Sequence, residues 1–285
     1  MNINWYPGHM VKAKRQIKDE LKLIDVAIEI LDARIPQSSR NPDITDIIKE
    51  KPHIIVLNKC DLADDIITDM WVKAFEKEHA VKTIPINALN GSGIRRLLRL
   101  VEDERKKITS KRNGKGLKAR PVRVMMLGIP NVGKSKLINA ISGTNKVKVE
   151  NKPGITRSLS WVRLKSNIEL MDTPGLLWPK QNDQNVAVKL ALAGTIKSDI
   201  NDKYKLCIYL IDILQEIKPK ALENQYGIEV TKDAENTLGS IAIKRGCIIK
   251  GGNIDFERTS QMILSDFSTG KLGKVSLEKP GGINM

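Results

Sequence analysis

Short apolar runs alternate with longer amphipathic stretches through the first half of the chain. Met10–Leu23 places its apolar residues at helical spacing among many charges. Val26–Leu31 (VAIEIL) reads as a strand and runs into Asp32-Ala33-Arg34-Ile35-Pro36. Pro36 and the polar run Gln37–Asn41 predict a loop. Ile54–Leu57 (IIVL) is an unbroken apolar run, as in a strand covered on both faces. A helix is predicted over Asp64–His79, a strand over Thr83–Ile86, a loop over Asn87–Gly93 and a cation-rich helix over Ile94–Ile108. Strands alternating with helices predict an α/β fold, with a mostly parallel sheet, right-handed crossovers and helices on both faces.

Thr109–Pro121 (TSKRNGKGLKARP) is basic and nearly devoid of apolar residues, which predicts an exposed linker. Such a segment is either an inert connector or an arm that lies along a phosphate backbone. Val122–Leu127 (VRVMML) reads as the next strand, followed by a glycine-bearing turn and a helix over Lys134–Ser142. Trp161–Leu164 and Ile168–Met171 read as two more strands. Beyond Pro179 the pattern becomes helical, over Asn185–Ile196, Lys205–Glu216, Ala234–Lys244 and Asp255–Thr269. The expected organisation is an α/β domain over 1–180 and an all-α domain over 181–285.

Composition narrows the classes. Hydrophobic residues at 41% and charged residues at 28% give an ordinary globular balance. No long apolar run suits a membrane helix, and the N-terminus lacks a secretory core, so a cytoplasmic protein is expected. Cys60, Cys207 and Cys247 are sparse and form no C-x-x-C pair, which argues against structural zinc and fits a reducing compartment. The net charge of +15 fits a polyanionic partner such as nucleic acid, or equally a lysine-rich solvated surface. Aromatics at 4% leave too little for a stacking platform on single strands.

The chemistry lies in three loops that each follow a predicted strand. Gly128-Ile129-Pro130-Asn131-Val132-Gly133-Lys134-Ser135 matches G-x-x-x-x-G-K-S, between a strand and a helix. Glycines let the backbone approach phosphate oxygens, and the amides of Asn131, Val132, Gly133, Lys134, Ser135 and Lys136 at a helix start supply positive potential. Lys134 would bridge the β- and γ-phosphates and the Ser135 hydroxyl would bind Mg²⁺. Asp172-Thr173-Pro174-Gly175 follows a strand, so its carboxylate can hold Mg²⁺ through water and the Gly175 amide can reach the γ-phosphate. Asn58-Lys59-Cys60-Asp61 selects the base. The Asp61 carboxylate accepts from guanine N1–H and the exocyclic amine, and adenine offers no such pair. The Asn58 amide would tie this loop to the phosphate loop, and the Lys59 stem would cover the base. Asn87-Ala88-Leu89 suits a loop whose backbone amide touches guanine O6. Thr156 lies between the two phosphate motifs, where a threonine can meet Mg²⁺ and the γ-phosphate. The ligand is therefore GTP or GDP with Mg²⁺.

The base motif precedes the phosphate motif, the reverse of the usual order. A circular permutation keeps the site and moves only the point where the chain is cut. It also leads the segment after Gly175 directly into the helical part.

With that order, the chain closely resembles the YlqF/RbgA family of circularly permuted ribosome-biogenesis GTPases. The matching pieces are Trp5-Tyr6-Pro7-Gly8-His9-Met10, Asp32–Pro36, Asn58–Asp61, Gly128–Ser135, Pro153–Thr156, Asp172–Gly175, Lys244-Arg245-Gly246 and Asp266-Phe267 with Gly270-Lys271-Leu272-Gly273. The resemblance spans nearly the whole chain. It implies action on the precursor of the large (50S) ribosomal subunit, with rRNA contacted by the C-terminal domain, by a protein that is a monomer when free. Lys197, Lys205, Lys218, Lys220, Lys244, Arg245 and Lys250 are the candidate phosphate partners. Leu176 stands where many GTPases carry a water-orienting glutamine, so another group must act. The resemblance implies His9 as that group and Asn131 as a ligand of K⁺. Lys134, Thr156 and His9 are thus the expected catalytic set. An adaptor or chaperone with vestigial hydrolysis is the alternative, which the missing glutamine favours.

Overall fold

A computed structural model describes residues 9–48, 51–114, 116, 120–143, 160–164, 167–178, 184–196 and 200–281, with the backbone alone at 9–13 and 200–202. Six strands form one sheet: β1 (Val26–Asp32), β2 (His53–Asn58), β3 (Lys82–Ile86), β4 (Val122–Gly128), β5 (Ser160–Arg163) and β6 (Ile168–Asp172). Their spatial order is β3-β2-β1-β4-β6-β5. Every neighbouring pair is parallel except β5 and β6, which run antiparallel. β1 is buried along its whole length, which explains its continuous apolar run.

The helices are α1 (His9–Glu20), α2 (Pro36–Ser39), α3 (Pro42–Ile48), α4 (Asp65–His79), α5 (Ile94–Asn113), α6 (Lys134–Ser142), α7 (Gln184–Leu192), α8 (Ile200–Ile217), α9 (Pro219–Tyr226), α10 (Ala234–Lys244) and α11 (Phe256–Thr269). Alternate strand residues sort to the two sheet faces. Val26, Ile28, Ile30, Val124 and Met126 share a core with Leu97 and Leu137 that continues into Leu210, Leu214 and Phe267 of the later helices. On the other face, Met125, Leu127 and Met171 pack with Ile17 of α1 and Ile44 of α3, while Leu31, Ile55 and Leu57 pack with Trp71 and Phe75 of α4. Aspartates cap α4, α10 and α11, accepting from backbone amides in each first turn.

The structure corrects several expected boundaries. Gln37–Ser39, the first part of the polar run after Pro36, is helical rather than loop, while Arg40 and Asn41 remain non-helical. Pro36 occupies the first turn of α2, and Glu278, far along the chain, accepts from the Gln37 and Ser38 amides. The predicted linker begins five residues late, because α5 continues to Asn113. Arg112, in its last turn, pairs with Asp25 at 2.5 Å, and cations suit a helix C-terminus. α7 stops at Leu192 rather than Ile196, ahead of Gly194, whose φ of 75° leaves the helical region. α9 was not expected and begins on Pro219.

After α11 the chain returns to the sheet. The Val275 amide donates to Leu62 O, the Leu277 amide to Arg34 O, and Trp71 Nε1 to Glu278 O. Glu278 also pairs with Lys189 of α7 at 3.4 Å.

Candidate functional site

Parallel strands bring the four motif loops among the described residues to one edge of the sheet. The chain passes β1 to β2 to β3 in one direction and then crosses back to place β4 on the far side of β1. Crevices at such a reversal bind ligands beyond the carboxyl ends of the strands. Asn58–Asp61 follows β2, Asn87–Leu89 follows β3, the phosphate loop follows β4 and Asp172–Gly175 completes β6.

The phosphate loop passes through Asn131 at φ 58° and Gly133 at φ 103° before α6 begins. A Cβ on Gly133 would collide with the Asn58 side-chain nitrogen, so only glycine fits there. Lys134 is 6% exposed, and its Nζ donates to Gly128 O at 3.1 Å and Ile129 O at 2.9 Å. Burial lowers its pKa to about 8, against the opposing pull of Asp172. Ser135 Oγ donates to Asp172 Oδ2 at 2.9 Å. Burial raises the Asp172 carboxyl above its ordinary value, although Lys134, Ser135 and the Thr173 amide oppose the shift. Asp172 Oδ1 is buried and has no hydrogen-bond partner among the described residues. A buried carboxylate oxygen without a donor, beside a serine hydroxyl, is a donor set that fits a hard divalent cation such as Mg²⁺. Gly175 presses on the phosphate loop, where an added Cβ would lie 2.5 Å from the Pro130 nitrogen.

The base side is built differently. Asn58 Nδ2 donates to Val132 O at 2.8 Å and Asn58 Oδ1 accepts from the Ala88 amide at 3.1 Å, so one side chain ties three loops together. Asn87 Oδ1 accepts from the Leu89 and Asn90 amides and holds its own loop in shape. The amides of Ala88 and Leu89 thus have partners within the protein, and a contact to guanine O6 would compete with those bonds. Lys59 has φ 60°, and its Nζ reaches Asp32 Oδ2 at 2.9 Å. The expected role of its stem over the base therefore starts from a tethered ammonium. Lys136, in the first turn of α6, is close enough to press the Lys59 pKa downward, although burial is the larger cause.

Other expected site residues are placed as follows. The Asn131 Nδ2 donates to Gly194 O at 2.7 Å, joining the phosphate loop to the turn after α7. His9 is the first residue of α1. Leu176 is 2% exposed and packs with Ile17, Ile44 and Met171. Thr156 and Lys197 lie outside the described residues. Two residues that carried no role in the sequence, Asp32 and Arg34, stand at the end of β1, the strand where the order reverses. The sequence marks them by their place after a strand and as part of the matching piece Asp32–Pro36, without giving them a role.

This fold and site define a P-loop GTPase whose base-reading loop precedes its phosphate loop. Residues 123–240 match the family described as "50S ribosome-binding GTPase". Ribosome biogenesis GTPase A from Bacillus licheniformis is 42% identical over 281 residues, covering 98% of this chain and 99% of that one. The protein of that name from Thermotoga maritima is 33% identical over 285 residues, covering 99% and 96%. The crystal structure of GNP-bound YlqF from T. maritima matches with a TM-score of 0.65 at 29% identity, covering 95% of this chain and 100% of that one. The chain belongs to the ribosome biogenesis GTPase A (YlqF) family, and it is a GTPase.

Proposed function

We propose that this GTPase acts in the cytoplasm, as a monomer when free, in late assembly of the large (50S) ribosomal subunit. The G domain over 1–180 would hydrolyse GTP, and the helical domain over 181–285 would contact rRNA. The observation that carries this reading is family membership along nearly the whole chain, joined to the Lys134–Ser135–Asp172 cluster on the sheet edge.

In this reading Asp61 accepts from guanine while Asn58 keeps the base and phosphate loops in register. Lys134 swings from the carbonyls of residues 128 and 129 to the phosphates, where a full positive charge stabilises the transition state. Ser135, Thr156 and Asp172 would hold Mg²⁺, which neutralises charge on the phosphate oxygens. The Asn131 nitrogen is committed to Gly194 O, so its side-chain oxygen is the atom that would meet K⁺.

Leu176 is turned into the apolar layer against α1 and cannot orient water. His9 takes that role in our reading. It begins the helix that carries Ile17, a neighbour of Leu176 in the same cluster. Eight residue steps along α1 separate His9 from Ile17, about 12 Å along the axis. A docked ribosomal particle would bring the imidazole to the attacking water. Lys205, Lys220, Lys244 and Lys250 are exposed on the helical part and fit phosphate contacts; Arg245 is exposed too, but its guanidinium donates to Gln225 O and lies over the Tyr226 ring. Lys218, whose Nζ donates to Lys274 O at 2.6 Å, is committed within the protein.

The test is the GTPase rate with and without large-subunit precursor particles, in K⁺ and in Na⁺. Stimulation by particles that is lost in His9→Ala, with GDP affinity retained, is the expected result. A rate unmoved by particles would overturn the reading and favour an adaptor with vestigial hydrolysis, as the burial of Leu176 does. Particle binding should also weaken steeply with added salt.

A further inference from the structure

Asp32 and Arg34 take no part in the steps above, yet both oxygens of the buried Asp32 carboxylate are bonded, while Arg34 Nη1 is buried without a hydrogen-bond partner among the described residues. Both side chains are 2% exposed. Asp32 Oδ1 accepts from the Arg34 Nε at 2.9 Å and the Arg34 amide at 3.1 Å. Asp32 Oδ2 accepts from Arg34 Nη2 at 2.8 Å and from Lys59 Nζ at 2.9 Å. Burial alone would raise the Asp32 carboxyl, but Arg34 and Lys59 outweigh it and hold the group well below the ordinary carboxylate range. Burial likewise works against the Arg34 charge, and Asp32 outweighs it, with a further contribution from Asp61. Lys59 sits in the left-handed region, where a lysine is held by its surroundings rather than by its own preference.

Arg34 also leaves the base side. Its guanidinium lies over the Phe267 ring of α11 at 5.1 Å, and Nη2 reaches Ala193 O at the long limit of 3.5 Å. Asn131 of the phosphate loop bonds to the next residue, Gly194. One turn at the end of α7 therefore receives a side chain from the base side and another from the phosphate side.

We propose that Asp32 is a positioning residue for guanine binding that acts through Lys59, and that Arg34 links this position to the seating of the α7 turn and α11. Nucleotide affinity and the packing of the C-terminal helices are then two readings of one equilibrium. The coupling must be reciprocal, so nucleotide tightens the α7 turn as much as that turn tightens nucleotide. This inference rests on Asn58–Asp61 being the guanine loop.

The experiment measures GDP binding with a fluorescent GDP analogue, alongside thermal melting. Asp32→Asn and Lys59→Met should each weaken GDP about tenfold, the scale of one charge-assisted contact. The double variant should be no weaker than Lys59→Met alone. Independent effects that multiply would overturn the proposal. Should Asp32→Asn fail to fold, Phe267→Leu keeps the core volume and removes the ring under Arg34, and a loss of GDP affinity of about threefold is expected; an unchanged affinity would count against the link. Hydrogen exchange supplies the reciprocal readout: GDP should slow exchange of the Ala193 and Gly194 amides in the native protein and much less in Lys59→Met. Equal protection in both would sink the linkage. Asp61→Asn is the control for the underlying reading. If that change leaves the preference for guanine over xanthine intact, the assignment of the base loop fails instead.

Discussion

The two ends of the nucleotide site treat charge in opposite ways. On the phosphate side, Lys134 is buried against carbonyls, its pKa lowered to about 8, and Asp172 keeps an oxygen without a donor among the described residues. On the base side, each carboxylate oxygen of Asp32 has two donors, and both polar atoms of Asn58 are used. The phosphate end is electrostatically unfinished within the protein, so an anion with its cation gains free energy there. At the base end the polar scaffold beneath Asp61 is bonded within the protein, apart from the buried Arg34 Nη1, so in the proposed reading that scaffold contributes shape and discrimination instead. In the proposed function, affinity and specificity thus fall to different halves of one cleft.

The comparison breaks most visibly at Lys134. Lys134→Met should lower single-turnover GTP hydrolysis by about 10²–10³-fold, while thermal stability holds, because a buried ammonium is replaced by a group of similar length. Next comes Asp61→Asn, which should cost about 100-fold in GDP affinity and raise affinity for xanthosine diphosphate. Isothermal titration with both nucleotides checks it, and an unchanged ratio would show that discrimination lies elsewhere. The third test is pH. Phosphate favours the ammonium form of Lys134, so GDP binding takes up a proton where that lysine is neutral in the free protein. Affinity should be constant below about 8 and fall about tenfold per pH unit above it. The slope should vanish in Lys134→Met and persist in Asp61→Asn. The smallest effect is a control remote from both halves. Ala80 closes α4 at φ 52°, so Ala80→Gly should raise stability by about 1 kcal/mol in chemical denaturation and leave GDP affinity alone.

Much of this molecule is legible from local pattern. The strands around the motifs announce themselves as apolar runs because a parallel sheet is covered on both faces, as in β1. The loops are legible because phosphate and guanine demand particular residues at short spacing. What stays hidden depends on partners distant in sequence. Gln37–Asn41 looks like a loop until Glu278 arrives to accept from its amides. Asn131 looks like a ligand-facing residue, and its nitrogen turns instead to Gly194. Asp32 and Arg34 form a recognisable motif, but their bond to Lys59 exists only once β1 and β2 lie side by side. The α9 helix escapes notice because eight residues give too few turns for a clear period.

The brace that the chain after α11 lays beside the base loop has a consequence for synthesis. Asp64 donates its amide to Ser276, 212 residues later. At ordinary translation speeds of 5–20 residues per second, the two leave the ribosome roughly 10–40 s apart. During that interval the nascent sheet can form and its strands can pair, but the base-reading loop lacks one of its supports. Competence for guanine nucleotides then waits for the segment that carries Ser276, and the protein's own birth orders its steps.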